Sequence, residues 1–500
     1  MLPRTRGPAV SRDDALAPPG PPPAAGRMVG RVRRPALPSL PTVRREVRDL
    51  LVVAGPLILA QLAQMSLSFV DTLMAGRLGQ EALAGIALGG TFFQLTGIVC
   101  MGVLFSVAPL VSQAHGAGDA DGAGRSARQG LWLAALLAVP GFVLFQSAEP
   151  LLRAAGQEPG AAALAAGYLA TAAFGFLPML LLTALRGFLE GLSDTRPIMG
   201  VLLVGVALNV LANNAFMFGR WGFPALGLVG TGVATALVYT IMAAVAAVYV
   251  GVRYRRYRVL RGLRRPDLAM LRELVRVGWP IGLTLGFEGG LFGFTALLMG
   301  LFGQAALAGH QIAIQAASVT FMVPVGLSIA TGVRVGQAVG RGDAPAVRRA
   351  GLTGIAGAVA VMTGTATLFR FAPGFVVAAF LDVRDPANAE AVRYAVTFLG
   401  IAALFQVVDG IQVASSGALR GLRDTRAPMV ISLVAYWALG MTVATVLAFP
   451  LGMEGRGLWI GLVVGLGVAA VLLLRRFLRM SAAGRAVGRS AALAGREVHS

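Results

Sequence analysis

Residues 400–426 read GIAALFQVVDGIQVASSGALRGLRDTR. The first part is apolar enough to span a bilayer as a helix, yet Asp409 stands in the middle of it. A carboxylate at bilayer depth costs roughly 2.5–3.5 kcal/mol on insertion scales, so a chain keeps one there only for a purpose. Gln406 and Gln412 lie three residues to either side, which puts all three on one broad helix face. Phe405 is one turn before the acid and Ser416 two turns after it. The end of the stretch, GLRDTRAPM (421–429), nearly repeats GLSDTRPIM (191–199). One segment thus carries a spanning helix, a buried charge and an internal duplication.

The rest of the chain agrees. Of 500 residues 56% are hydrophobic and 13% charged, against about 25% charged in a soluble domain. The apolar runs recur throughout, as in a polytopic membrane protein. The net charge is +20, and all 43 basic residues are arginine, with no lysine in the chain. These arginines fall in the tails and alternate loops and form no basic domain, which argues for membrane orientation and against a nucleic-acid partner. Cys100 is the single cysteine, so a disulfide or thiolate metal site is excluded, and the three histidines are too scattered for a zinc motif.

Taken in order, residues 1–47 form an expected disordered, Pro- and Arg-rich cytoplasmic tail without a signal-peptide core. A six-span lobe occupies 48–251, a basic cytoplasmic linker 252–276, a second six-span lobe 277–478 and a basic tail 479–500. The first span carries Gln61, Gln64, Ser68 and Asp71 in one stripe, which should face other helices or water. Asp71 is near the span's far end, where it is expected to be partly hydrated. It reads equally well as a functional acid and as an interfacial cap. Asn209 and Asn213, one turn apart in the fifth span, read as inward-facing groups or as glue between helices. Glu288 is a second acid at mid-membrane depth. His310, Gln311 and Gln315 open the eighth span, the histidine reading more readily as structural than as a proton relay. Seven arginines (Arg77, Arg153, Arg220, Arg370, Arg384, Arg393, Arg456) fall in the loops assigned outside, and most of the others lie inside. That bias places both termini in the cytoplasm.

The halves match at a steady offset. GQEALAG (79–85) pairs with GQAALAG (303–309), QAHGAGD (113–119) with QAVGRGD (337–343) and Pro56 with Pro280, each 224 residues apart. Six spans against six in the same sense make a parallel repeat, with two lobes about an axis along the membrane normal. The expected fold is an all-α integral membrane protein of twelve helices in two pseudo-symmetric six-helix lobes.

FVDTLMAGRLG (69–79), PLVSQAHGAGD (109–119), RGFLEGLSDTRP (186–197), LNVLANNAFMFG (208–219), FEGGLFGF (287–294), AGHQIAIQ (308–315), RVGQAVGRGD (334–343) and VVDGIQVASSGALRG (407–421) resemble the multidrug and toxic compound extrusion family, in its bacterial NorM-type branch. The resemblance covers about residues 48–478. It implies two lobes around a cleft and export of cationic, amphipathic drugs in exchange for Na⁺ or H⁺ by a single chain in the bacterial inner membrane. It places the family's motif acids on Asp71, Glu288 and Asp409 and its fifth-span asparagines on Asn209 and Asn213. Phe405 stands where some sodium-coupled members carry tyrosine; it keeps a ring face for a cation but lacks the hydroxyl.

These residues suggest that Glu288 and Asp409 hold Na⁺ between oxygen ligands, or a proton, with Asp71 serving the first lobe. Gln61, Gln64, Gln311, Gln315, Gln406 and Gln412 would line the path. No cofactor is expected. A flippase for a lipid-linked sugar is the alternative, but it would want several cationic groups, and the spans show hardly any interior arginine beyond Arg334. No GxSxG, HExxH or P-loop motif supports an enzyme.

Overall fold

A computed structural model describes residues 40–261, 263 and 266–482. Among these, twelve helices are long and apolar enough to cross a membrane. In the first half they are α1 (Leu40–Gly76), α2 (Gln80–Gly116), α3 (Ala120–Gln146), α4 (Pro159–Gly191), α5 (Arg196–Phe216) and α6 (Leu228–Arg253). In the second they are α7 (Leu268–Gly300), α8 (Gln304–Gly340), α9 (Ala344–Phe371), α10 (Ala389–Gly421), α11 (Arg426–Ala448) and α12 (Glu454–Ala482). The chain is a multi-pass membrane protein, and among the described residues the start of α1 and the end of α12 pack into one core.

Three expected boundaries move. Residues 40–47, assigned to the tail, begin α1; they are polar, so apolarity alone could not find them. Arg334 of α8 donates to Glu46 there at 2.9 and 2.7 Å and fixes the extension to the other half. The linker expected over 252–276 gives way to helix at Leu268, where the Asp267 carboxylate caps α7 by accepting from the Met270 amide at 3.1 Å. α12 runs past 479 to Ala482. The expected tail segments 1–39 and 483–500 lie outside the described residues.

The repeated motifs turn out to be joints. In QAHGAGD and QAVGRGD, Gly118 and Gly342 adopt positive φ (77° and 72°), a region that L side chains rarely enter. Asp119 and Asp343 then cap α3 and α9 through the Gly122 and Ala346 amides, at 2.8 and 2.9 Å. In GLSDTR and GLRDTR, Ser193 and Arg423 take left-handed φ (61° and 56°) and close α4 and α10. The aspartate that follows pins the last helix of its own lobe. Asp194 accepts from the hydroxyl of Tyr249 in α6 and from that of Tyr254 just after it (2.8 and 2.6 Å), and Asp424 accepts from Arg476 in α12 (2.6 and 3.1 Å).

The hydrophobic cores do not divide at 251/277. Leu50, Val53, Ala54 and Leu57 of α1 belong to a core built by α8, α9, α10 and α12. Leu271, Leu274, Val277 and Ile281 of α7 belong to the core of the first half. Each lobe's first helix therefore lends its opening half to the other lobe, with Pro56 and Pro280 lying at or beside the handover.

The lobes meet in a two-fold pattern on the side where α1 begins and α12 ends. Gln113 of α2 donates to the Gly421 carbonyl at the end of α10 (2.8 Å). Its repeat mate Gln337 donates to the Gly191 carbonyl at the end of α4 (3.0 Å) and to the Ser193 hydroxyl (2.9 Å). Beside these bonds a methyl on Gly116 would run into the Gln337 carbonyl, and one on Gly340 into the Gln113 carbonyl. Deeper in, Gly102 lies on Gly282, and Gly326 on Ile58. Small residues at each crossing let the backbones touch.

Candidate cation and substrate site

A cavity of about 140 Å³ lies between the lobes above this seal. The first lobe contributes Gln61, Phe105 and Glu190 to its wall; the second contributes Thr284, Glu288, Gln412, Ser416 and Arg420. The second lobe's share follows from helix spacing. Asp409, Gln412, Ser416 and Arg420 recur every three or four residues, which stacks them on one face of α10. Glu288 faces them from α7. Asp409 is 3% exposed, sits behind the wall and is within electrostatic range of Glu288.

Among the described residues, four buried side-chain oxygens of α10 have no hydrogen-bond partner: Gln406 Oε1, Asp409 Oδ1, Gln412 Oε1 and Ser415 Oγ. The two amides spend their donors elsewhere. Gln406 donates to the hydroxyls of Thr320 in α8 and Thr365 in α9, and Gln412 to the Tyr436 hydroxyl at 2.7 Å. What remains is oxygen only, the donor set a hard cation prefers. A proton on Asp409 would satisfy the same lack. The residues therefore fit a small monovalent cation.

Asp71 forms a second, separate site. It is 9% exposed and its Oδ1 accepts from Asn209 at 3.0 Å and Asn213 at 2.7 Å. The expected partial hydration does not hold: α5 covers the carboxylate. The asparagines are thus hydrogen-bond donors to the acid, and among the described residues their own Oδ1 atoms have no partner.

Other expected positions are reassigned. Phe405 is 2% exposed, packed on Phe292 and Trp459 with ring centroids at 6.0 and 5.9 Å, and offers no free face to a cation. Gln311 and Gln315 are exposed and do not line the cavity. Gln61 and Gln64 accept from one guanidinium, that of Arg186, Gln64 at 2.8 Å. Arg186 also donates to Glu190 at 2.6 Å. The expectation of hardly any interior arginine is corrected here, since Arg186 is 7% exposed and Arg420 lines the cavity. Both lie near span ends, where sequence reading counts them as loop charges. A signal for Glu190 and Arg420 was present: RGFLEGLSDTR (186–196) aligned on SGALRGLRDTR (416–426) puts an acid and a base at one repeat position.

Comparison with known proteins decides the family. The MatE family profile matches residues 56–214 and again 280–446, once in each half. The chain belongs to the MatE family. A probable multidrug resistance protein NorM of Deinococcus radiodurans is 44% identical over 441 residues, 88% of this chain and 97% of the relative. Multidrug resistance protein NorM of Burkholderia vietnamiensis is 40% identical over 449 residues, 90% and 96% of the two chains. The crystal structure of the eukaryotic MATE transporter AtDTX14 has a TM-score of 0.79 at 22% identity, over 89% of this chain and 99% of that one. At that identity the likeness speaks for the fold. As a MatE member the chain is a transporter of the NorM type, not an enzyme.

Proposed function

We propose that this protein exports cationic, amphipathic drugs across the bacterial cytoplasmic membrane in exchange for Na⁺ or H⁺, with both termini in the cytoplasm. The observation that carries the reading is the pair Glu288 and Asp409, one on the cavity wall and one behind it, beside oxygen acceptors left without partners. A cationic drug and a small cation compete for the same negative charge, so each displaces the other. Exchange follows if the two ligands favour different arrangements of the lobes. The seal of paired glutamines marks one arrangement, and parting it gives the other. Asp71 serves the first lobe in the same chemistry. One chain supplies both lobes and the cavity, so a monomer suffices.

Interior arginines, Arg186 and Arg420, would be available to a lipid-linked sugar pyrophosphate. That alternative is nonetheless disfavoured: Glu190, Glu288 and Asp409 outnumber Arg186 and Arg420, which repels a pyrophosphate. The test is ethidium uptake into inverted vesicles under imposed Na⁺ or pH gradients. Glu288→Gln and Asp409→Asn should each reduce gradient-driven uptake at least about tenfold, the scale of losing a buried charge contact. Uptake at the wild-type rate in both variants rules the reading out.

A further inference from the structure

Arg420 takes no part in the exchange scheme, yet it lines the same cavity as Glu288 and Glu190. It lies three turns beyond Asp409 on the inward stripe of α10. Its Nε is buried without a hydrogen-bond partner, and among the described residues it joins no close ion pair. A guanidinium at this depth needs a counter-charge. Two carboxylates attract it from different lobes, Glu288 of α7 and Glu190 of α4. Arg186 engages Glu190 through Oε1, which leaves Oε2 for a second guanidinium.

Charge counting sharpens the point. Three carboxylates (Glu190, Glu288, Asp409) and two guanidiniums (Arg186, Arg420) leave the cluster with one net negative charge. One monovalent cation brings it to neutrality, provided Arg420 does not already occupy the acids that would receive it.

We propose that Arg420 is a tethered competitor for the cation site: it faces Glu288 while the site is empty and turns to Glu190 of the opposite lobe when a monovalent cation arrives. Occupancy of the second lobe is thereby converted into an ion pair across the lobe interface, next to the Gln113–Gly421 bond. Arg420 is thus a positioning residue, acting on the cation through Glu288. The proposal rests on the exchange reading, and its test separates the two.

The experiment uses the purified full-length chain in detergent. One arm titrates ²²Na⁺ at high pH; the other titrates protons in choline buffer, with displacement of ethidium as the readout. Arg420→Gln removes the competitor and should tighten cation binding at least about tenfold. Glu190→Gln removes the alternative partner, holds Arg420 on Glu288 and should weaken binding. The double variant should follow Arg420→Gln, and Arg420→Lys should shift binding less than Arg420→Gln. Structural damage would weaken binding in every variant, and that result overturns the proposal, as does unchanged affinity in Arg420→Gln. If Arg420→Gln does not accumulate, Glu190→Gln decides, and wild-type affinity there is equally fatal. A wild-type chain that binds neither cation through Glu288 and Asp409 removes the exchange reading itself, and this proposal with it.

Discussion

Asp71 shows what holds a carboxylate in oil. Two amide donors from one helix face meet one oxygen, and among the described residues no basic side chain forms an ion pair with the acid. Removing a donor leaves a buried charge under-solvated, which costs about 1–3 kcal/mol. Asn213→Leu, which removes the shorter bond, should therefore lower the melting temperature of the solubilised protein measurably, and more than Asn214→Leu, whose side chain bonds only its own helix. This acid and the two in the second lobe were legible in the sequence because each interrupts an apolar run. Arg186 was not, and Glu190 and Arg420 showed only as an acid and a base at one repeat position, because charges near span ends look the same whether they point at water or into the interface. Phe405 was misplaced for a related reason: spacing gives the face of a helix, but not what covers it.

At the scale of helices, the seal joins glutamine side-chain bonds to close backbone contacts. Gly340 in α8 meets the Gln113 carbonyl of α2, and a rigid carbonyl cannot move aside as a side chain can. Gly340→Val should pry the ends of α2 and α8 apart. The distance between spin labels on the exposed residues Ala117 and Arg341, just past the ends of α2 and α8, should then lengthen; an unchanged distance would mean the crossing tolerates bulk. The sequence displayed these segments as a repeat at constant offset, so their pairing was legible. Their work as caps, left-handed turns and crossings was not, because a motif's recurrence does not say whether it binds a ligand or bends a chain. The π-helical turn Val434–Gly440 in α11 is likewise invisible to periodicity, although it carries the Tyr436 that receives Gln412.

On the molecular scale, the two-lobe plan was legible from the offset and the six-and-six division, but the exchange of half-helices was not. It depends on what α1 and α7 pack against beyond their prolines, which is information from the partner helices. The exchange predicts that neither half folds alone. Chains cut within the 254–267 connector should accumulate and restore ethidium efflux when co-expressed, while either half by itself should be degraded or aggregate. A half that is monodisperse and heat-stable alone would contradict the core assignment.

The glycine-to-carbonyl crossings also bear on pharmacology. With no gap wide enough for a methyl group at Gly116 or Gly340, a blocker cannot wedge between the helices at these two crossings until the lobes separate. If the lobes part during exchange as proposed, a blocker aimed at these crossings should act with a lag set by the protein's own opening rate.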